Sequence, residues 1–212
     1  MTRFGKIQRP LWTGNQPIML ASRSPVRRSL LQNAGIHVEC LLIELNERVF
    51  ATSILARRPD GEQVSRYLAL AKATAASARC PGRIVLGADQ VLAAEAAFLS
   101  KPTTRSQARA QLERLSGARH TLTSSAVIVR DGKPVFEVSD MAIMKVRFLS
   151  DAFIDAYLDT VAGNAFSAVG AYQAEGIGIY LFEWMRGHQA TILRLPLIPL
   201  LSCFRSMGLV VG

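Results

Sequence analysis

The chain has 212 residues, half of them hydrophobic and 19% charged, a composition that packs a core and excludes a disordered chain, at a length suited to one large core or two small lobes around a cleft. A formal net charge of +9 suits nucleic acid, an anionic surface or a small polyanion equally well. Absence of a dense Lys/Arg block or of basic residues interleaved with aromatics argues against a single-strand nucleic-acid groove, and no apolar run approaches the roughly 20 residues of a membrane span.

Residues 1–17 carry Arg3, Lys6 and Arg9 but neither the apolar stretch nor the cleavage site of a secretory signal, and they read as an N-terminal extension to one domain over 18–212. Ile18-Met-Leu-Ala predicts a short buried strand. Ser22-Arg-Ser-Pro25 then supplies a loop, Ser24 as N-cap and Pro25 at the first helical position; Arg27, Leu30, Leu31 and Ala34 keep helical spacing until Gly35. A strand is expected over 36–43. The Ala-rich stretch 63–78 predicts a helix, and Pro81-Gly82 breaks it before a strand over 84–86 that feeds Gly87-Ala-Asp89-Gln90. Further on come a helix over 106–115, a strand over 120–129, a hairpin at Asp131-Gly132 into 135–148, a helix over 151–161, a Gly-rich segment over 170–178 and a last helix over 198–206. Without repeat, low-complexity tract or linker, these elements build one α/β unit. Cys40, Cys80 and Cys203 are widely spaced, with no Cys-x-x-Cys pair, so neither a disulfide framework nor a zinc cluster is expected, and a reducing cytoplasm fits.

Several stretches collect polar side chains at strand ends or in Gly-rich turns. Ser22 to Arg28 gathers hydroxyls and backbone N–H groups at a helix start, where Arg27 adds forked donors suited to phosphate; the same residues also make an ordinary cap beside exposed arginines. Asp89 follows an apolar strand and is expected near its carboxyl end, where a carboxylate holds a divalent cation or takes a proton from water, or else caps a turn. Lys101-Pro102 offers a cation on a rigid turn, to phosphate or to solvent. Lys72, alone among small apolar residues between Arg66 and Arg79, points to a directed role. Glu44 and Glu47 follow the strand expected over 36–43; one can supply a second carboxylate for phosphoryl chemistry, or both form a solvated acidic loop. Glu175 lies in the Gly-rich turn, where a side chain meets a flat ligand edge-on or simply caps.

Taken in order, these stretches resemble the Maf family of nucleotide pyrophosphatases. The resemblance runs through Ser22-Arg-Ser-Pro-Val-Arg-Arg-Ser-Leu-Leu31, Lys72, Gly87-Ala-Asp-Gln90, Lys101-Pro102, Leu115-Ser-Gly117, Gly170-Ala-Tyr172, Glu175-Gly-Ile-Gly178 and Leu195-Pro-Leu197, nearly all of the chain beyond Pro17. It implies a mixed-sheet, two-lobed α/β fold of the Maf/ITPase-like type with a central nucleotide-binding cleft, often homodimeric. The implied reaction hydrolyses the α–β phosphoanhydride of a modified nucleoside triphosphate to monophosphate and pyrophosphate. By position it makes Asp89 the proton acceptor and Glu47, rather than Glu44, its partner at a site for a divalent metal such as Mg²⁺ or Mn²⁺. Arg27, Lys72 and Lys101 become triphosphate ligands, with Ser22 and Ser24 lining the anion pocket. A triphosphate carries about four negative charges near neutral pH, which three cations and a metal neutralise.

One branch of the family is associated with dTTP and UTP and another with 7-methyl-GTP, and the distinguishing positions fall on Val26, Gln90 and Glu175. Gln90 and Glu175 are similar to the 7-methyl-GTP branch, and a carboxylate at Glu175 accepts from guanine N1–H and the 2-amino group together. Val26 departs from that branch, where an aromatic residue able to stack on a cationic purine is expected; Tyr172 is the alternative source of stacking. Ser100, where the family usually has Gly, is a further departure. The expected partner is a nucleoside triphosphate, with no membrane and no nucleic acid. Two rivals remain: a dTTP/UTP pyrophosphatase in which Glu175 is structural, and a basic regulatory or nucleic-acid-binding protein whose salt-dependent binding survives Asp89→Asn.

Overall fold

A computed structural model describes residues 11–45, 60–95, 97–163 and 168–212. The first strand, β1 (Ile18–Ala21), is buried along its whole length, as a strand covered on both faces must be. Ser24 caps and Pro25 opens α1 (Pro25–Asn33), and Gly35, at φ +76°, turns the chain into β2 (Val38–Cys40). This strand is far shorter than the 36–43 expected, because β1 offers it partners only from Ile18 to Leu20.

Helix α2 (Gly61–Ser77) opens on a capping box between Asp60 and Gln63 that fixes its start two residues before the expected 63. It lies against β3 (Ile84–Ala94). A Cβ on Gly87 would stand 2.1 Å from the Ala69 carbonyl oxygen, so glycine is what allows helix and strand this close. Then follow β4 (Ala97–Leu99), α3 (Arg105–Leu115), β5 (Arg119–Arg130), β6 (Lys133–Val146) and α4 (Asp151–Val161). Asp131 and Gly132 both take positive φ, 49° and 76°, in the two-residue turn that joins β5 to β6. The Gly-rich segment holds two short 3₁₀ turns, and the chain ends with β7 (Phe182–Arg186), α5 (Gln189–Ile192) and α6 (Leu197–Ser206). Of these, β4, β7 and α5 are too short to announce themselves by periodicity.

The seven strands among the described residues form one mixed sheet, ordered β2-β1-β3-β5-β6-β7 with β4 also on β3. Strand β1 runs parallel to both neighbours, and the remaining pairs are antiparallel. Among the apolar clusters packed on the sheet, one under α2 holds Val85 and Val127, and two larger ones share the long strands on the opposite face. Leu20, Leu31, Leu86, Ala88, Ala126 and Phe204 belong to one; Leu92, Leu112, Leu122, Met144 and Leu158 belong to the other. Between these two, β3 and β5 carry Asp89, Gln90, Thr123, Ser124 and Ser125, so a polar band crosses the sheet there. Residues 11–17, the end of the stretch read as an extension, are docked. Trp12 is buried and bridges Val210, and Thr13 N–H donates to the Leu209 carbonyl at 2.9 Å. Among the described residues no helix is long and apolar enough to cross a membrane.

Candidate active site

Strand β3 does not stop before Asp89. It continues to Ala94 because β5 pairs with it without interruption from Ile84 to Ala93, so Asp89 lies mid-strand rather than at a carboxyl end. The strand end that matters is that of β1, whose last partner on β3 is Gly87; beyond it the chain departs at Ser22. On the same edge β4 pairs from Ala94 back to Leu92, opposite Leu99, and its antiparallel direction carries the chain toward Lys101 at the same place. Among the described residues no strand fills this edge between Gly87 and Leu92. The loops after β1 and after β4 thus converge from two sides on a gap occupied by Asp89 and Gln90.

Alternation along a strand sends these two neighbours to opposite faces. On the α2 face, Lys72 Nζ donates to Asp89 Oδ1 at 2.5 Å, and the two side chains are only 13% and 12% exposed. Close packing of α2 on Gly87 delivers Lys72 there. Asp89 stands opposite Ser125, which stands opposite Ser139, and the Ser125 hydroxyl bonds to those of Ser65 (2.6 Å) and Ser139 (2.8 Å). This hydroxyl row satisfies itself inside the protein, as buried polar groups must.

At the start of α1, Arg27 N–H donates to Ser24 Oγ (3.4 Å), Ser24 N–H to Ser22 Oγ (3.2 Å) and Arg27 Nη1 to Ser22 Oγ (3.2 Å). Arg27 is only 6% exposed, and its Nε–H donates to the Arg194 carbonyl at 2.9 Å. Ser22, Ser24 and Arg27 therefore form one hydrogen-bonded unit, with a buried guanidinium rather than a solvated one. Val26, half-buried beside it, is not part of the wall described next.

On the opposite face Gln90 Nε2 donates to Ser124 Oγ (3.0 Å) and to the carbonyls of Thr191 (3.0 Å) and Ile192 (3.2 Å). Backbone carbonyls cannot donate, so the amide end that faces them is the nitrogen. With Nε2 so engaged, only Oε1, an acceptor, is left for a ligand. The Thr191 hydroxyl donates to Asp140 Oδ2 at 2.6 Å, and Ser124 Oγ donates to the Thr191 carbonyl at 2.9 Å. Asp140 thus anchors the helix that fixes Gln90.

Gln90, Tyr172, Glu175, Ile192 and Arg194 line a common pocket, so the structure brings together two of the three positions expected to set specificity. Tyr172 is only 5% exposed, bonded to His120 Nε2 at 2.7 Å and packed edge-on against Phe182, which makes it a wall rather than an open stacking platform. Burial raises its hydroxyl pKa and lowers that of His120 to about 4. Ser65, Ser124, Ser125, Asp140, Thr191 and Arg194 drew no attention in the sequence. The legible signal was Thr123-Ser-Ser125, a run of hydroxyls directly before the apolar stretch 126–129 of the same strand.

Among the described residues no group of three or more His, Cys, Asp and Glu side chains assembles. Asp89 has one oxygen on Lys72 and a second, Oδ2, with no bond to a described residue. A single carboxylate suits Mg²⁺ or Mn²⁺, which keep waters and complete their shell with substrate phosphates rather than with an all-protein cage. Glu47 lies outside the described residues.

A mixed-sheet α/β fold of the Maf type, with the Lys72–Asp89 ion pair on one face of β3 and Gln90 in a small pocket on the other, is the class this architecture defines. The family described as Maf-like protein matches residues 17–207, and the chain belongs to it. It is 45% identical over 199 residues to a nucleoside triphosphate pyrophosphatase of Rhodopseudomonas palustris (strain BisB18), covering 94% of this chain and 98% of that one. A protein of Nitrobacter winogradskyi with the same name is 43% identical over 199 residues, with the same coverage. The 7-methyl-GTP pyrophosphatase of Mesorhizobium japonicum is 43% identical over 197 residues, covering 93% and 99%.

Proposed function

We propose that this Maf-family protein is a nucleoside triphosphate pyrophosphatase that cleaves between the α and β phosphates of a guanine-type nucleotide, 7-methyl-GTP foremost. The observation that carries the reading is the gap on β3, where Asp89 with Lys72 serves one face and Gln90, in a pocket with Glu175, serves the other. The pyrophosphatase names of the relatives support the reaction, and the Mesorhizobium relative supports the base.

In this reading Arg27, Lys72 and Lys101 bind the triphosphate, with Ser22 and Ser24 completing the anion pocket. Asp89 takes the proton of a water whose oxygen attacks the α phosphorus as the bond to the β-phosphate oxygen breaks. Pyrophosphate leaves with the electron pair, its charge offset by the cations already in place. A divalent cation, held by Asp89 and Glu47, would neutralise phosphate charge and lower the pKa of water. Glu175 accepts from the donor edge of guanine, which the acceptor-rich edge of uracil or thymine matches less well.

Product analysis with 7-methyl-GTP, GTP, UTP and dTTP, with Mg²⁺, Mn²⁺ or excess chelator, tests each part. Pyrophosphate with monophosphate, greatest for 7-methyl-GTP and abolished by chelator, is the expected result. Preference for UTP or dTTP overturns the base assignment, orthophosphate release overturns the bond assignment, and activity in chelator overturns the metal.

A further inference from the structure

Arg194 sits between α5 and Leu195-Pro-Leu197, and its backbone has φ +81°, a region that residues other than glycine occupy only when their surroundings hold them there. Two bonds do so here. Its N–H donates to the Thr191 carbonyl at 3.0 Å, and its own carbonyl accepts from Arg27 Nε at 2.9 Å. An arginine kept in this conformation, clamped by the buried guanidinium of the anion pocket, lines the pocket that Gln90 and Glu175 also line. Its charge reaches the Tyr172 hydroxyl in the same wall, opposing the effect of burial there. Neither the Arg194 guanidinium nor the Glu175 carboxylate bonds to any described residue.

The polar complement of the pocket is therefore one forked donor, Arg194, and two acceptors, Glu175 and Gln90 Oε1. We propose that Arg194 is a specificity-determining residue that donates to the exocyclic oxygen of a 6-oxopurine while Glu175 accepts from the adjacent ring N–H. This rests on the nucleotide-pyrophosphatase reading above. A 6-oxopurine places C=O beside N–H, so both side chains are satisfied at once. Adenine reverses the order: its 6-amino group would meet the guanidinium and its N1 lone pair the carboxylate, leaving two donors and two acceptors opposed. Guanine adds a 2-amino donor for the remaining acceptor, whereas uracil and thymine place a carbonyl there. The edge in question is common to guanine and 7-methylguanine.

The test compares wild type with Arg194→Gly, a substitution that relieves the positive φ instead of straining it. Binding of the α,β-methylene analogues of GTP and ATP is measured by calorimetry in Mg²⁺, so the readout does not depend on turnover. Wild type is expected to prefer the GTP analogue, and Arg194→Gly to lose about ten-fold or more of that affinity while its affinity for the ATP analogue holds or rises. Equal losses for both analogues would place Arg194 on the phosphates and overturn the proposal, as would no loss for either, or a wild type that favours ATP. Failure of the pyrophosphatase reading is distinguishable: wild type would release no pyrophosphate from any hydrolysable nucleotide while the binding difference remained.

Discussion

Asp89 and Gln90 are consecutive residues that serve opposite faces of one sheet: Asp89 Oδ1 accepts from Lys72 Nζ at 2.5 Å under α2, and Gln90 Nε2 donates to the Thr191 carbonyl at 3.0 Å beside α5. The period of two along β3 separates them, and the unpaired edge between Gly87 and Leu92 gives a ligand access to both. The residues proposed for phosphate chemistry and for base recognition thereby stand side by side on a single strand.

Asp89→Asn replaces a carboxylate by a near-isosteric amide and removes the proposed proton acceptor. Pyrophosphate release is expected to fall by about 10² to 10⁴-fold with an unchanged circular dichroism spectrum. Unchanged turnover would sink the assigned role.

Gly87→Ala drives a Cβ to 2.1 Å from the Ala69 carbonyl oxygen and 2.8 Å from the Ala73 Cβ, and so pushes α2 away from β3. A loss of about 1–3 kcal/mol in stability is expected, with a fall in turnover as Lys72 moves off Asp89. Gly163→Ala, whose Cβ would meet no described residue within 4 Å, is the control. Equal denaturation midpoints for the two variants would contradict the close approach.

Thr191→Val deletes the 2.6 Å bond to Asp140 Oδ2 while keeping the shape of the side chain. About 1–2 kcal/mol of stability is lost. Because Thr191 acts through Gln90, KM for a guanine nucleotide is expected to rise more than kcat falls. A change confined to kcat would mean that the chain from Asp140 to Gln90 does not set base binding.

Glu175→Gln exchanges an acceptor-only group for one that also donates. Preference among GTP, 7-methyl-GTP and UTP is expected to shift by about ten-fold or more, with the maximal rate on the best substrate little altered. A uniform fall across all three nucleotides would make Glu175 structural.

His120 is buried and its pKa lies at about 4, below the ordinary 6.5, because burial penalises the charged ring. Between those values the unfolded chain binds the proton and the native one does not, so stability falls as pH drops from about 6.5 to 4 and is independent of this group above 6.5. The total loss is on the order of 3 kcal/mol. Urea unfolding at pH 7.5 and 4.5 measures it, and His120→Gln should flatten the pH dependence by that amount.

Much of the site was legible in the sequence because it is local. Ser22, Ser24, Pro25 and Arg27 lie within six residues, and the capping geometry that joins them belongs to any helix start of that pattern. Lys72 stood out because a lone cation on an alanine-rich helix has few other uses, and the structure gives it Asp89 as a partner. Gln90 and Glu175 were singled out together by resemblance, and they line one pocket.

Contacts between segments far apart in the chain were not legible. A strand expected to end before Asp89 runs on to Ala94 because β5 supplies its partners, and pairing partners leave no mark on the strand itself. Nor could periodicity show that β1 and β4 stop short of each other on that edge, which is what opens the gap. Composition and spacing determined the helix starts, the hairpin at Asp131-Gly132 and the chemical inventory, since those follow from local conformational preference. Only the tertiary structure decided that Asp140 and Thr191 hold the Gln90 amide and that Arg27 clamps the backbone of Arg194. Those bonds join residues 51 and 167 positions apart, and it is the sheet and the helices packed on it that bring them within reach.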